Sequence, residues 1–161
     1  MLGKGFARRG AETLRESAVD KLTIKLPARG YKMQENEIGS SVIEAAIQIH
    51  RELGPGLLET VYEVVLAREL SDRGFLVERQ TPIPILYKGI RFEEGFRADL
   101  IINQQVLLEL KSVERIIPAH QKQVQTYLRL TGLKLGYLLN FGEAVLRSGI
   151  TRCVNGLKDN P

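Results

Sequence analysis

Ile38, Val42, Ala45, Ala46, Ile49 and Leu53 recur at three- and four-residue spacing. That stripe predicts an amphipathic helix beginning near Asn36. Gly54-Pro55-Gly56 ends it, because proline has no amide to continue the ladder. Val61, Val65, Leu66 and Leu70 predict a second helix over roughly Leu58–Arg73, closed by Gly74. The period then changes. Phe75–Tyr87 (interrupted by Pro82 and Pro84), Ile90–Ile102 and Val106–Val113 are β-prone runs. Lys88-Gly89 predicts a tight hairpin turn, and Asn103-Gln104-Gln105 a second reversal. Pro118 suits the first position of another helix, which runs to Gly132. Lys134–Phe141 reads as a buried strand, and Gly149–Val154 as a short last one. Helix, helix, three strands, helix, strand and strand predict a mixed α/β domain built on a central sheet.

Composition narrows this picture. A chain of 161 residues with 43% hydrophobic and 26% charged residues suits one soluble domain with a sizeable core. No apolar run reaches transmembrane length and no stretch reads as a secretory signal, so a cytoplasmic location is the default expectation. One cysteine, Cys153, excludes an internal disulfide, and with only two histidines a zinc set is a poor fit. Cys153 reads as a small buried group, and His50 as a cation favoured at a helix carboxyl end.

The net charge of +4 is unevenly placed. Residues 1–32 hold eight Lys/Arg and three acids, a balance of +5, and the remainder carries −1. The basic excess therefore belongs to an amino-terminal extension, residues 1–35, with a weak helix around Ala11–Leu22. A mobile tail is the favoured reading over a phosphate-binding arm. Met33 is a candidate alternative start. The domain is expected over residues 36–157, with 158–161 as a short tail.

Asp99 ends one apolar run, and Glu109-Leu110-Lys111 ends the next. Pairing across the polar break at 103–105 brings Asp99, Glu109 and Lys111 together. By strand alternation Glu109 and Lys111 share one face, as do Arg97 and Asp99. Two carboxylates and an ammonium at a sheet surface suit a hard divalent cation and an activated water. An exposed cross-strand charge network is the plainer reading of Glu109 and Lys111 taken alone. Glu59 and Tyr62 lie three apart on the second helix, where an acid also suits the positive helix end without further function. His120, Gln123 and Tyr127 share one face of the third helix.

These residues carry a resemblance. Gly56-x-x-Glu59-x-x-Tyr62, Arg97-Ala98-Asp99, Glu109-Leu110-Lys111 and His120-x-x-Gln123-x-x-x-Tyr127 resemble the GxxExxY protein family. That family is grouped with the PD-(D/E)XK nuclease superfamily, near its RecB-like branch. The likeness covers roughly residues 36–156, and the order and spacing of the motifs make it specific. It implies a restriction-endonuclease-like core with a central mixed sheet flanked by helices. It implies Asp99, Glu109 and Lys111 as the catalytic set, with Gln123 and Tyr127 beside them. It implies a metal site of Asp99, Glu109, the Leu110 carbonyl and Glu59, and supporting or substrate-binding roles for Tyr62, Arg97 and His120.

The expected activity is Mg²⁺- or Mn²⁺-dependent hydrolysis of phosphodiester bonds in DNA, with RNA less favoured. The alternative is a silent nucleic-acid-binding or adaptor module on the same fold. Two neighbouring carboxylates push the Lys111 pKa upward, which favours an electrostatic role over a general base. A homodimer, as in many small nucleases, and an unknown partner protein are compatible with the chain.

Overall fold

The computed structural model describes residues 32–158. The expected helix around Ala11–Leu22, the rest of the basic extension through residue 31 and the last three residues lie outside that range. Helices α1 (Glu35–Leu53), α2 (Glu59–Asp72) and α3 (Pro118–Thr131) accompany strands β1 (Val77–Tyr87), β2 (Ile90–Ile102), β3 (Val106–Lys111), β4 (Leu135–Asn140) and β5 (Ile150–Val154). A 3-10 turn at Leu146–Gly149, which the sequence pattern did not predict, leads into β5.

Local chemistry explains the boundaries. The Glu37 carboxylate accepts the Gln34 backbone N–H at 2.7 Å, satisfying a donor at the α1 start and placing negative charge at the positive helix end. Met33 packs against the core just ahead of α1. Pro118 opens α3, and Gly132 closes it in the left-handed conformation at φ 72°. Lys88 and Gly89 both have positive φ, as a two-residue hairpin turn requires. Asn103 and Gln104 do the same, with the Gln105 N–H donating to the Ile102 carbonyl at 2.9 Å.

The sheet runs β1-β2-β3-β4-β5, with β3 and β4 parallel and the other pairs antiparallel. A parallel pair needs a crossover, and α3 supplies it. Ile38, Val42, Ala45, Ile49, Tyr62, Leu66 and Leu70 from α1 and α2 pack on one sheet face with Leu108, Leu110, Tyr137 and Leu139. Val124, Tyr127 and Leu128 of α3 pack on the other with Ile101, Leu107 and Leu138. The architecture is α/β, a mixed sheet between helices, as the pattern predicted.

Alternation is not regular along the first two strands, whose register also shifts between Ile83 and Ile85. Leu100 and Ile102 face α1 and α2, but Ala98 packs on the α3 side with Ile101. On β1, Val77 packs toward α1 and α2, whereas Ile83 packs toward α3. Between these two β1 residues lies Gln80, at φ 49°. Strand parity alone therefore does not relate Arg97 to Asp99.

His50 is buried, and its Nε2 donates to the Glu143 carbonyl at 2.8 Å. It ties α1 to the loop after β4, a contact that the helix-end charge argument did not foresee. Cys153 is buried, as expected, and burial pushes its thiol pKa up. Among the described residues no helix is long and apolar enough to cross a membrane.

Candidate active site

The centre of the site is a fork in the sheet. β2 and β3 pair from Ile102 opposite Val106 to Leu100 opposite Leu108. One further step of that register sets Asp99 against Glu109. There the ladder stops, while β3 continues beside β4 as far as Lys111 opposite Asn140. The Leu110 N–H, on the side where β2 has parted, donates to Asp99 Oδ2 at 2.8 Å. A strand residue points its N–H and C=O the same way, so the Leu110 carbonyl also faces the fork.

Leu108 and Leu110 belong to the core beneath α1 and α2, which turns Glu109 and Lys111 to the opposite face, as predicted. Lys111 Nζ donates to Glu109 Oε1 at 2.6 Å and lies 3.8 Å from Glu59 Oε1. Glu109 is only 2% exposed, and its Oε2 is buried without a hydrogen-bond partner among the described residues. An orphaned carboxylate oxygen is costly unless a cation or donor satisfies it.

Glu59 arrives from the first turn of α2. The preceding loop is pinned by Tyr62, whose hydroxyl donates to the Gly54 carbonyl at 2.6 Å and accepts the Leu57 N–H at 3.2 Å. Tyr62 is fully buried and stacks on Phe141 at 4.3 Å between ring centroids. Ser112 Oγ donates to the Leu57 carbonyl at 2.7 Å, fastening the same loop to the end of β3. The motif from Gly56 to Tyr62 is thus a device that carries Glu59 to the fork. Tyr62→Phe keeps the stacking and removes both hydroxyl bonds. It is expected to cost about 1–3 kcal/mol, read as a lower midpoint in thermal unfolding. An unchanged midpoint would show that the loop holds without Tyr62.

From α3, Gln123 Nε2 donates to the Tyr127 hydroxyl at 2.5 Å, and Tyr127 leans on Phe96 at 5.1 Å. His120 Nδ1 accepts the Ile117 N–H at 3.4 Å in the first turn. The charges of Glu109, Lys111 and Asp99 reach the Tyr127 hydroxyl, and those of Lys111, Asp99 and His120 reach Glu59, so α2 and α3 both bring side chains within electrostatic range of the fork. Arg97 is exposed, and its Nη1 donates to the Gln80 carbonyl at 3.1 Å.

The electrostatics are those of buried acids that lie close together. Burial, then the neighbouring Asp99 charge, lifts the Glu109 pKa to about 7 despite the Lys111 bond. Burial also raises Asp99, against the Leu110 N–H, Lys111 and Gln80. It raises Glu59 as well. Burial works to lower the Lys111 pKa, but the Glu109 bond and the charges of Glu109, Glu59 and Asp99 outweigh it and leave it raised. Lys111 is therefore an ammonium. Burial likewise raises the Tyr127 hydroxyl.

Three residues that the motif reading did not single out complete the surroundings. Glu63 is 4% exposed on the buried stripe of α2. Arg79 Nε donates to its Oε1 at 3.0 Å, and Gln80 Nε2 donates to its Oε2 at 2.9 Å and to Asp99 Oδ1 at 3.2 Å. An acid on the apolar stripe with Tyr62, Leu66 and Leu70 was the available signal for Glu63. For Gln80 the sequence offers none. Among the described residues, no three His, Cys, Asp or Glu side chains converge closely enough to cage a metal ion as they stand.

No curated protein and no solved structure matches the chain. A family model described as the PD-(D/E)XK nuclease superfamily matches residues 36–153, spanning both helices that precede the sheet and all five strands. With its acids and lysine at the fork of a mixed sheet, this chain belongs to the PD-(D/E)XK nuclease superfamily.

Proposed function

We propose that the protein is a divalent-metal-dependent nuclease, that its site is the β2–β3 fork, and that DNA is its substrate. The narrower placement is in the GxxExxY family of the RecB-like branch, on the motifs at Glu59, Asp99, Glu109, Lys111, Gln123 and Tyr127. The observation that carries the reading is the fork itself, where Glu109 presents a buried, unpartnered Oε2 beside Asp99 and Lys111.

The donor types at the fork suit a hard cation. The donors are all oxygens: Asp99, Glu109, the Leu110 carbonyl and Glu59. Burial chiefly raises all three carboxyl pKa values, and a bound cation offsets acids clustered in this way. When bound, Mg²⁺ or Mn²⁺ supplies charge stabilisation for the phosphate and activation of a water. Lys111, held as an ammonium, steadies a phosphate oxygen or the developing negative charge rather than abstracting a proton. Gln123 and Tyr127 orient substrate or water from α3, and His120 stands at the same end.

The test pairs Mn²⁺ calorimetry with cleavage of end-labelled single-stranded DNA, duplex DNA and RNA, in Mg²⁺, in Mn²⁺ and in EDTA. The expected result is Mn²⁺ binding and DNA cleavage that EDTA abolishes. Folded protein that binds no Mn²⁺ and cuts none of the three substrates would overturn the reading and favour a silent binding module.

A further inference from the structure

Gln80 has an unusual backbone for a residue inside a strand. Its φ of 49° lies in the left-handed region, which costs a non-glycine residue about 1–3 kcal/mol and persists only where its surroundings hold it there. Here they do. Arg97 Nη1 takes its carbonyl at 3.1 Å. Its side-chain amide has two N–H groups, and the nitrogen lies 2.9 Å from Glu63 Oε2 and 3.2 Å from Asp99 Oδ1. Arg79→Glu63 pairing, at 3.0 Å, fixes the far carboxylate. The register places Gln80 and Asp99 between the pairs Arg79 opposite Leu100 and Thr81 opposite Ala98.

We propose that Gln80 is a positioning residue: its left-handed turn and bridging amide fix the Asp99 carboxylate at the fork in the orientation that meets the cation. This rests on the metal-site reading above. The network separates two tasks. The cationic Arg79 pairs with Glu63, away from the fork. The two groups that hydrogen-bond Asp99, the Gln80 amide and the Leu110 N–H, are both neutral. Asp99 is held in place without an arginine spending its charge, and hydrogen-bonded outer partners of this kind govern metal affinity.

Two variants separate side chain from backbone. Gln80→Gly removes the amide and accepts the left-handed φ freely, whereas Gln80→Ala removes the amide and keeps the strain. The first readout needs no metal: amide hydrogen exchange at Leu110, whose N–H is held by Asp99, with Leu108 in the intact ladder as the control. Both variants should speed Leu110 exchange at least about fivefold, with Leu108 unchanged. The second readout is Mn²⁺ calorimetry, where Gln80→Gly should weaken binding by about tenfold. Unchanged Leu110 exchange in both variants overturns the proposal, whether or not the protein binds metal. Undiminished Mn²⁺ affinity in Gln80→Gly overturns it equally. If the intact protein binds no Mn²⁺ while Leu110 exchange still accelerates, the metal reading fails and the positioning of Asp99 by Gln80 stands.

Discussion

Asp99→Asn and Glu109→Ala are each expected to reduce metal-dependent cleavage by at least about a thousandfold, with the circular dichroism of the folded protein retained. The two substitutions attack different halves of the fork. Asn at position 99 keeps an oxygen for the Leu110 N–H but removes the charge, so the strand end remains tied while the cation loses a ligand. Alanine would leave that N–H unpaired and mix a folding defect with a chemical one. Glu109→Ala removes the buried carboxylate with the orphaned oxygen and frees Lys111 from its 2.6 Å bond. Mn²⁺ binding should fall with activity in both variants. Lys111→Ala should separate the two readouts, losing rate far more than metal affinity, because an ammonium cannot be a ligand. Full activity in Asp99→Asn would remove the fork from the chemistry.

Glu109→Gln is expected to stabilise the metal-free protein at pH 8 while silencing it. The Glu109 carboxyl titrates near pH 7 in the folded chain, against an ordinary value of 4.5, chiefly because it is buried and next because Asp99 is close. The folded state thus binds the proton more tightly than the unfolded state. The stability this group contributes is fully present below pH 4.5 and is lost as pH rises through about 7. The loss is on the order of 3 kcal/mol at most, at 1.4 kcal/mol per pKa unit. Asp99 and Glu59, both raised, add to it with the same sign. Urea unfolding in EDTA should therefore show the natural protein less stable at pH 8 than at pH 5. Glutamine removes the titration and flattens the profile across that interval. A Gln variant no more stable than the natural protein at pH 8 would show that Glu109 is not strained by its burial. Saturating Mn²⁺ should stabilise the natural protein at pH 8 and not the variant, since a ligand of the folded state alone raises its stability. Such an exchange of stability for function is common where charges are crowded for chemistry.

The helices and hairpins were legible because their causes are local. The stripe from Ile38 to Leu53 became α1, Pro118 and Gly132 bounded α3, and Lys88-Gly89 and Asn103-Gln104 turned the chain as their positions predicted. Asp99, Glu109, Lys111 and Glu59 were legible for another reason: acids and a lysine at set spacings after apolar runs are a pattern in one dimension. Strand parity even set Glu109 and Lys111 on the correct face, because regular alternation survives throughout β3.

What the sequence could not supply is everything that depends on two distant segments meeting. Register could place Asp99 opposite Glu109, but only the assembled sheet ends the β2–β3 ladder one residue earlier and opens the fork between them. The bond from Arg97 to the Gln80 carbonyl is likewise tertiary. So is the placing of Glu63, Arg79 and Gln80 behind Asp99, since α2 and β1 are joined there only by side chains. Propensity and periodicity describe a residue's own backbone, and they determined the elements and the chemical inventory of this protein. The left-handed Gln80 is held against its own preference by partners from two other elements, so only the tertiary structure decided where the carboxylates stand.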